Sequence, residues 1–362
     1  MPRDPRAAYD ELPPLPPKAV IATERVLYQA IAAASALGEL KSGGSLIPDQ
    51  TILINSIPLQ EAKSSSEIEN IVTTQDELFR AAAGETRATD PQVKEILRYR
   101  TALRRAYDAM TAGGEPLSLD LIRMICSTLL DKPVEFRPPD RRVYVGNAVD
   151  GAVIYTPPRG GPGLFEKMRN LESFLLGEAG PHPLLRMAIA HYQFEAIHPF
   201  SDGNGRTGRI LNILYLVHAG LLSIPVLYLS RYVIQNKAKY YRLLRSVTEE
   251  GAWEPWLLYM LRGVEETALL TTARIQSIRD LLNETVERCR RELPKVYSKE
   301  LIELIFRQPY CKIKFVVDAG IAQRETASLY LQALEQIGIL VGEKRGREII
   351  YKHPALVDVL TA

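Results

Sequence analysis

The segment His198–Arg209, HPFSDGNGRTGR, gathers side chains that could act on a phosphate ester. Gly203 and Gly205 let the backbone turn tightly and approach a ligand with no side chain in the way. The segment runs straight into an apolar stretch, ILNILYLVHA. The unpaired N–H groups of a helix start, with its dipole, would then cradle an anion. Arg206 and Arg209, three residues apart, fall on one face of that first turn and could grip further phosphate oxygens. Asp202 stands at the mouth, a hard oxygen ligand where a phosphate-bridging Mg²⁺ would want one. His198 is the group there able to serve as a base near neutral pH. Together these residues spell phosphoryl- or nucleotidyl-transfer chemistry.

Other readings of the same glycines fail on context. Gly203, Gly205 and Gly208 satisfy GxGxxG, but that fingerprint needs a preceding strand in a βαβ unit, and here a helical pattern precedes it. No GxxxxGK[ST] occurs, which excludes a P-loop. A glycine-rich helix–loop–helix turn with solvated arginines would explain any one of these residues, but not all of them together.

The elements around the segment are mostly helical. Apolar residues at three- and four-residue spacing predict helices over 24–37, 94–112, 118–130, 165–176 and 184–197, and a long helical spacer over 262–292. LLRMAIAHYQFEAI, just before His198, is apolar on nearly every side and must be central to the fold. One island breaks the pattern. The β-prone runs Arg142–Gly146 and Ala152–Thr156, joined by Asn147–Gly151, read as a hairpin. From Ser298 onward, three short helices around Gly320 and a second hairpin predict a winged helix-turn-helix.

Composition narrows the class. The chain has 362 residues, 46% hydrophobic and 24% charged, with a formal net charge of +2, which argues against a protein that mainly coats nucleic acid or an anionic membrane. Cys126, Cys289 and Cys311 form no CxxC pair, so a disulfide scaffold or cysteine zinc site is unsupported and a reducing cytoplasm fits. The N-terminus lacks the apolar core of a secretory signal, and its prolines predict an extended arm. Ile210–Leu229 is apolar enough to suggest a membrane span, but Asn212, His218, Gly220 and Pro225 interrupt it.

HPFSDGNGRTGR resembles the Fic family signature, HxFx[DE]GNGRxxR, at all eight specified positions. The likeness runs from about Tyr9 to the C-terminus. It implies a mainly α fold: a Fic helical core with a β-hairpin flap, followed by a C-terminal winged helix-turn-helix. The divisions expected are an N-terminal arm and helices (1–105), the core (106–262), a helical spacer (263–297) and the winged helix (298–362). It implies transfer of AMP from ATP to a Ser, Thr or Tyr hydroxyl of a target protein, and self-modification. His198 would deprotonate the hydroxyl and Asp202 would hold Mg²⁺. Gly203, Asn204 and Gly205 would bind the α- and β-phosphates, and Arg206 and Arg209 the outer ones, with Thr207 and Gly208 in the same nucleotide-binding set. The hairpin would be the flap, with Val143, Val145, Ile154 and Tyr155 pairing with a strand-like target segment. Tyr240 and Tyr241 fall where the family places aromatics near the adenine.

The family's inhibitory pattern, [ST]xxxE[GN], occurs twice: Ser65…Glu69-Asn70 and Ser246…Glu250-Gly251. The first precedes the core, where self-inhibited members with winged-helix tails keep it, and there Glu69 would pair with Arg209 at the edge of the nucleotide site. Ser65 could instead be a helix N-cap, since Ser64…Glu67 and Ser66…Glu69 are capping boxes. The second match reads as the C-terminal turn of the Tyr240 helix.

A winged helix could bind DNA through Gln323–Gln336, with Arg345 and Arg347 at the wing tip. However, residues 299–362 carry nine Lys/Arg and eight Asp/Glu, a net of +1, so protein docking is equally supported. His182, His191 and His218 lack partners at metal spacing and read as structural. The alternatives to a self-inhibited adenylyltransferase are a transcriptional regulator whose core senses a nucleotide, and a Fic enzyme that uses another donor or removes AMP. A homodimer is compatible with the sequence; a membrane partner is not.

Overall fold

The computed structural model describes residues 4–44, 47, 49–84, 90–146, 152–345 and 348–362. An extended arm leads into α1 (Glu24–Gly44), α2 (Thr51–Ile68), α3 (Gln75–Ala82), α4 (Pro91–Thr111) and α5 (Leu119–Leu130). The hairpin follows as β1 (Val145–Gly146) and β2 (Val153–Tyr155). Next come α6 (Pro162–Leu176), α7 (Pro183–Ile197), α8 (Asn204–His218), α9 (Leu229–Gln235), α10 (Lys237–Glu250) and α11 (Trp253–Glu292). The C-terminal unit comprises α12 (Lys299–Arg307), β3 (Tyr310–Lys312), α13 (Ile313–Asp318), α14 (Arg324–Gln336), β4 (Val341–Arg345), β5 (Glu348–Lys352) and α15 (Pro354–Thr361).

The helices expected from apolar spacing are present, and their ends follow from capping. Asp90 and Ser118 accept from backbone N–H groups at the starts of α4 and α5, and His182 does so for α7 through Nδ1 at 3.2 Å. α7 is buried on nearly every side, and it packs between α6 and α8. That sandwich holds the His198 loop. α8 stops at His218, with Gly220 in the left-handed region just beyond (φ +69°). Among the described residues no helix is long and apolar enough to cross a membrane.

Three features go beyond the periodicity. α2 runs unbroken through Ser64, Ser65 and Ser66, so the N-cap reading of Ser65 is corrected: it sits in the last turns of a helix, fully buried. α11 begins at Trp253, packs along α1, and carries the expected spacer as its distal part. The hairpin ladder is short and irregular, pairing Val145 with Tyr155 and Gly146 with Val153, so Val143 lies outside it. Its turn, 147–151, lies outside the described residues, as do Arg347 and the Arg345 side chain.

In the C-terminal unit, β5 lies between β3 and β4 in an antiparallel sheet, and β3 adds a strand to the expected hairpin. The unit docks on α2, α3 and α11. Arg80 pairs with Glu343 at 2.6 Å, Lys312 Nζ donates to the Gly84 carbonyl at 3.2 Å, and Arg307 pairs with Asp49.

Candidate active site

α7 ends at His198, whose left-handed backbone (φ +51°) turns the chain sharply out of the helix. Buried Arg137 staples that corner. Its Nε donates to the His198 carbonyl at 2.8 Å, and Nη2 donates to the carbonyls of Pro158 (2.8 Å) and Ile197 (3.2 Å). The loop then closes on the Asn204 side chain, whose oxygen accepts from the Phe200 N–H and whose amide donates to the Phe200 carbonyl, both at 2.8 Å. Asn204 therefore shapes the loop with its side chain, and its backbone N–H lies at the open start of the helix. Gly203 caps α8 in the left-handed region (φ +77°), a conformation that favours glycine. The helix's first bond runs from Thr207 N–H to the Gly203 carbonyl, so the donors before it form the open start of the helix.

Burial pushes the His198 imidazole down to about 4, helped by the nearby Arg137 cation and opposed by the Glu195 carbonyl. At neutral pH the ring is therefore uncharged and can accept a proton. Asp202 is at the rim, its side chain 71% exposed, with Oδ1 accepting from the Gly203 N–H at 2.6 Å. Among the described residues no three His, Cys, Asp or Glu side chains form a cage for a metal.

Both arginines are buried and held. Arg206 Nη1 donates to Glu95 Oε1 on α4 at 3.0 Å. Arg209 reaches the end of α2: Nε donates to Ser65 Oγ (2.7 Å), and Nη2 to the Ser65 carbonyl (2.9 Å) and Glu69 Oε1 (2.8 Å). Burial works to raise the Glu69 carboxyl, but the Arg209 guanidinium outweighs it and holds the group below the usual range. Asn70 follows in the left-handed region (φ +62°), and its Oδ1 accepts from Lys237 Nζ at 3.4 Å. The second pattern match is elsewhere. Ser246 turns its hydroxyl back to the Arg242 carbonyl within α10, and Glu250 precedes the Gly251 cap.

His198, Gly205, Arg209, Glu69 and Asn70 face one cavity of ≈ 560 Å³ with Tyr240 and Tyr241. Val145, Ile154 and Tyr155 of the hairpin form another wall. Tyr240 is buried, its hydroxyl 2.8 Å from His191 Nε2, which accounts for that histidine in the core. Tyr241 remains 42% exposed. Tyr155 donates its hydroxyl to the Ala196 carbonyl at 2.6 Å, so it ties the hairpin to α7, whereas Ile154 stays exposed at the cavity's edge. Asp202, Gly203, Asn204, Arg206, Thr207 and Gly208 do not line the cavity: Thr207 is fully buried, and a Cβ on Gly208 would come 2.7 Å from Glu195 Oε1 and 3.1 Å from Phe194. Gly208 lets α8 approach α7.

Sequence reasoning singles out neither Arg137 nor Glu195 as a site residue. Glu195 lines the cavity, and burial pushes its carboxyl up to about 7 against the pull of Arg209. Its signal is that it is the one acid in a helix buried on nearly every side; Arg137 has none, because its partners are backbone carbonyls.

The family described as Fic/DOC matches residues 116–216, and its N-terminal region matches 27–108. The C-terminal domain of SoFic-like protein adenylyltransferase matches 281–356. The chain belongs to the Fic family. "Protein adenylyltransferase Fic" of Drosophila willistoni is 32% identical over 176 residues, 47% of this chain and 32% of that protein. A probable protein adenylyltransferase of Aquifex aeolicus is 28% identical over 258 residues, 69% of this chain and 73% of that one. The chain thus spans about a third of the Drosophila willistoni protein, and 24% of its Drosophila ananassae counterpart. Among solved structures, a Fic family protein from Desulfovibrio desulfuricans G20 superposes with a TM-score of 0.59 at 18% identity, covering 93% of this chain and 98% of that one. Fic-1 from C. elegans gives 0.53 at 21% identity, covering 69% and 74%. At these identities the likeness shows a shared Fic fold.

Proposed function

We propose that this chain transfers AMP from ATP to a Ser, Thr or Tyr hydroxyl of a target protein, itself included, and that Glu69 restrains the reaction. The observation that carries this reading is that uncharged His198 and Gly205, in the open first turn of α8, face a single cavity. His198 accepts the proton of the attacking hydroxyl, the new bond forms to the α-phosphorus, and pyrophosphate leaves. The backbone donors at Gly205 and Arg206 stabilise the phosphate oxygens, and Glu95 keeps the Arg206 guanidinium aimed. Tyr240 and Tyr241 would flank the base.

Asp202 fits a Mg²⁺ ion, since one exposed carboxylate beside a phosphate cradle is what a cation completed by water and phosphate oxygens requires. When bound, it would neutralise charge on the phosphates. The Glu69 carboxylate occupies Arg209, which would otherwise meet the γ-phosphate. A cytoplasmic setting accords with three buried free cysteines.

The test is incubation with Mg²⁺ and α-labelled ATP, GTP, CTP or UTP, for the parent and His198→Ala. The expected result is labelling from ATP that His198→Ala abolishes while ATP binding persists. Retained labelling in His198→Ala would remove the base from the mechanism, and binding without transfer would favour the nucleotide-sensing regulator.

A further inference from the structure

A second cavity, of ≈ 270 Å³, opens between the first half of α2, α4 and the loop joining α12 to β3. Arg100, Arg104, Arg105 and Arg307 line it, and no carboxylate among the described residues does. Three of these arginines are engaged. Arg104 Nε holds Asp108 at 2.8 Å, Arg105 Nη1 donates to Thr128 Oγ1 at 3.1 Å, and Arg307 pairs with Asp49. Half-buried Arg100 is different: it pairs with no acid among the described residues, and burial alone acts on its guanidinium, lowering its pKa. The half-buried amides of Asn55 and Gln308 line the same cavity and likewise have no hydrogen-bond partner among the described residues.

A partly desolvated cation without a counter-charge favours an anion beside it, and the amides next to it keep free hydrogen-bonding capacity. Three such side chains converge on one hollow whose remaining lining includes Phe79, Leu103 and Pro225. Converging guanidinium groups suit a phosphate, whose oxygens can be shared among several of them. The hollow also has room for a small apolar body beyond the phosphate itself.

We propose that this cavity is a second anion site that takes a small organophosphate. The phosphate would sit on Arg100, with Arg104 and Arg307 alongside and the Asn55 and Gln308 amides completing its hydrogen bonds. The site is separate from the reaction at His198 and stands without it. It shares α2 with the brake, since the helix that contributes Asn55 here carries Ser65 to Arg209.

Calorimetry on the full chain tests this, with phenyl phosphate, benzoate and inorganic phosphate as probes. The parent should bind phenyl phosphate saturably and more tightly than benzoate. Arg100→Gln should weaken that binding at least about tenfold, and Arg209→Ala, in the other cavity, should leave it unchanged. No saturable binding of phenyl phosphate below ~10 mM would overturn the proposal. So would parental affinity in an Arg100→Gln protein that melts like the parent, or loss of binding in Arg209→Ala. Benzoate binding as tightly as phenyl phosphate would overturn the phosphate assignment. Should Arg100→Gln melt early, Asn55→Leu is expected to weaken binding in the same way, and parental affinity in that variant would overturn the proposal equally.

Discussion

Glu69 Oε1 lies 2.8 Å from Arg209 Nη2, joining the end of α2 to the first turns of α8 across 140 residues of sequence. The same guanidinium also holds the hydroxyl and carbonyl of Ser65, so one cation is engaged by a single turn of α2. The pair is asymmetric. The arginine side chain is 4% exposed and the glutamate 37%, so solvent screens the contact only from the carboxylate side.

Releasing Arg209 should therefore raise self-labelling. With screening, the charge-assisted bond is worth about 1–2 kcal/mol, which corresponds to a rise of about tenfold in Glu69→Gly. Glu250→Gly, at the far end of α10, should leave labelling at the parent level. The double variant Glu69→Gly/Arg209→Ala should lose the gain, because the freed arginine is the beneficiary. Radiolabel incorporation from α-labelled ATP, at equal folded concentration, checks all three. Activation by Glu250→Gly alone would place the brake on the wrong helix.

The acid limb of activity should be displaced. His198 must be uncharged to accept a proton, and burial holds it at about 4, below the 6.5 of a free imidazole. In Glu69→Gly, kcat/KM should show no loss attributable to this group down to about pH 5, and fall as pH approaches 4. The sign extends to stability. Buried His191 (about 3) and His353 (about 4) also titrate below their unfolded value, so the unfolded chain binds more protons and stability drains as pH falls from 6.5 through 4. A histidine limb near 6.5 would contradict the burial of His198.

Asp202→Ala should weaken the Mg²⁺ dependence of nucleotide binding and of rate together. The carboxylate is at the rim with one oxygen held by the Gly203 N–H, so its loss should leave the fold intact. A Mg²⁺ titration of bound ATP reads the change; curves that overlay the parent's would place the metal elsewhere.

Gly208→Ala should destabilise the protein by about 1–3 kcal/mol through overpacking. Its methyl would come 2.7 Å from Glu195 Oε1 and 3.1 Å from Phe194, both on the buried helix α7. Chemical denaturation gives the value, and an unchanged midpoint would mean that α7 and α8 yield at that contact.

The sequence alone determined the local elements. The spacing of apolar residues marked the helices that became α1 and α4–α8, and HPFSDGNGRTGR set the order of histidine, glycines and arginines, because capping and turn chemistry depend on neighbours in the chain. Tertiary structure decided everything that joins distant segments. It placed Ser65 inside a helix rather than at its start, with its hydroxyl accepting from Arg209 Nε instead of capping a local N–H group. It set Glu69, and not Glu250, against Arg209, although both match the same six-residue pattern, because only the end of α2 lies beside the first turns of α8. It also set the charge state of His198 and Glu195, since the desolvation that shifts them comes from surrounding helices that no local pattern encodes.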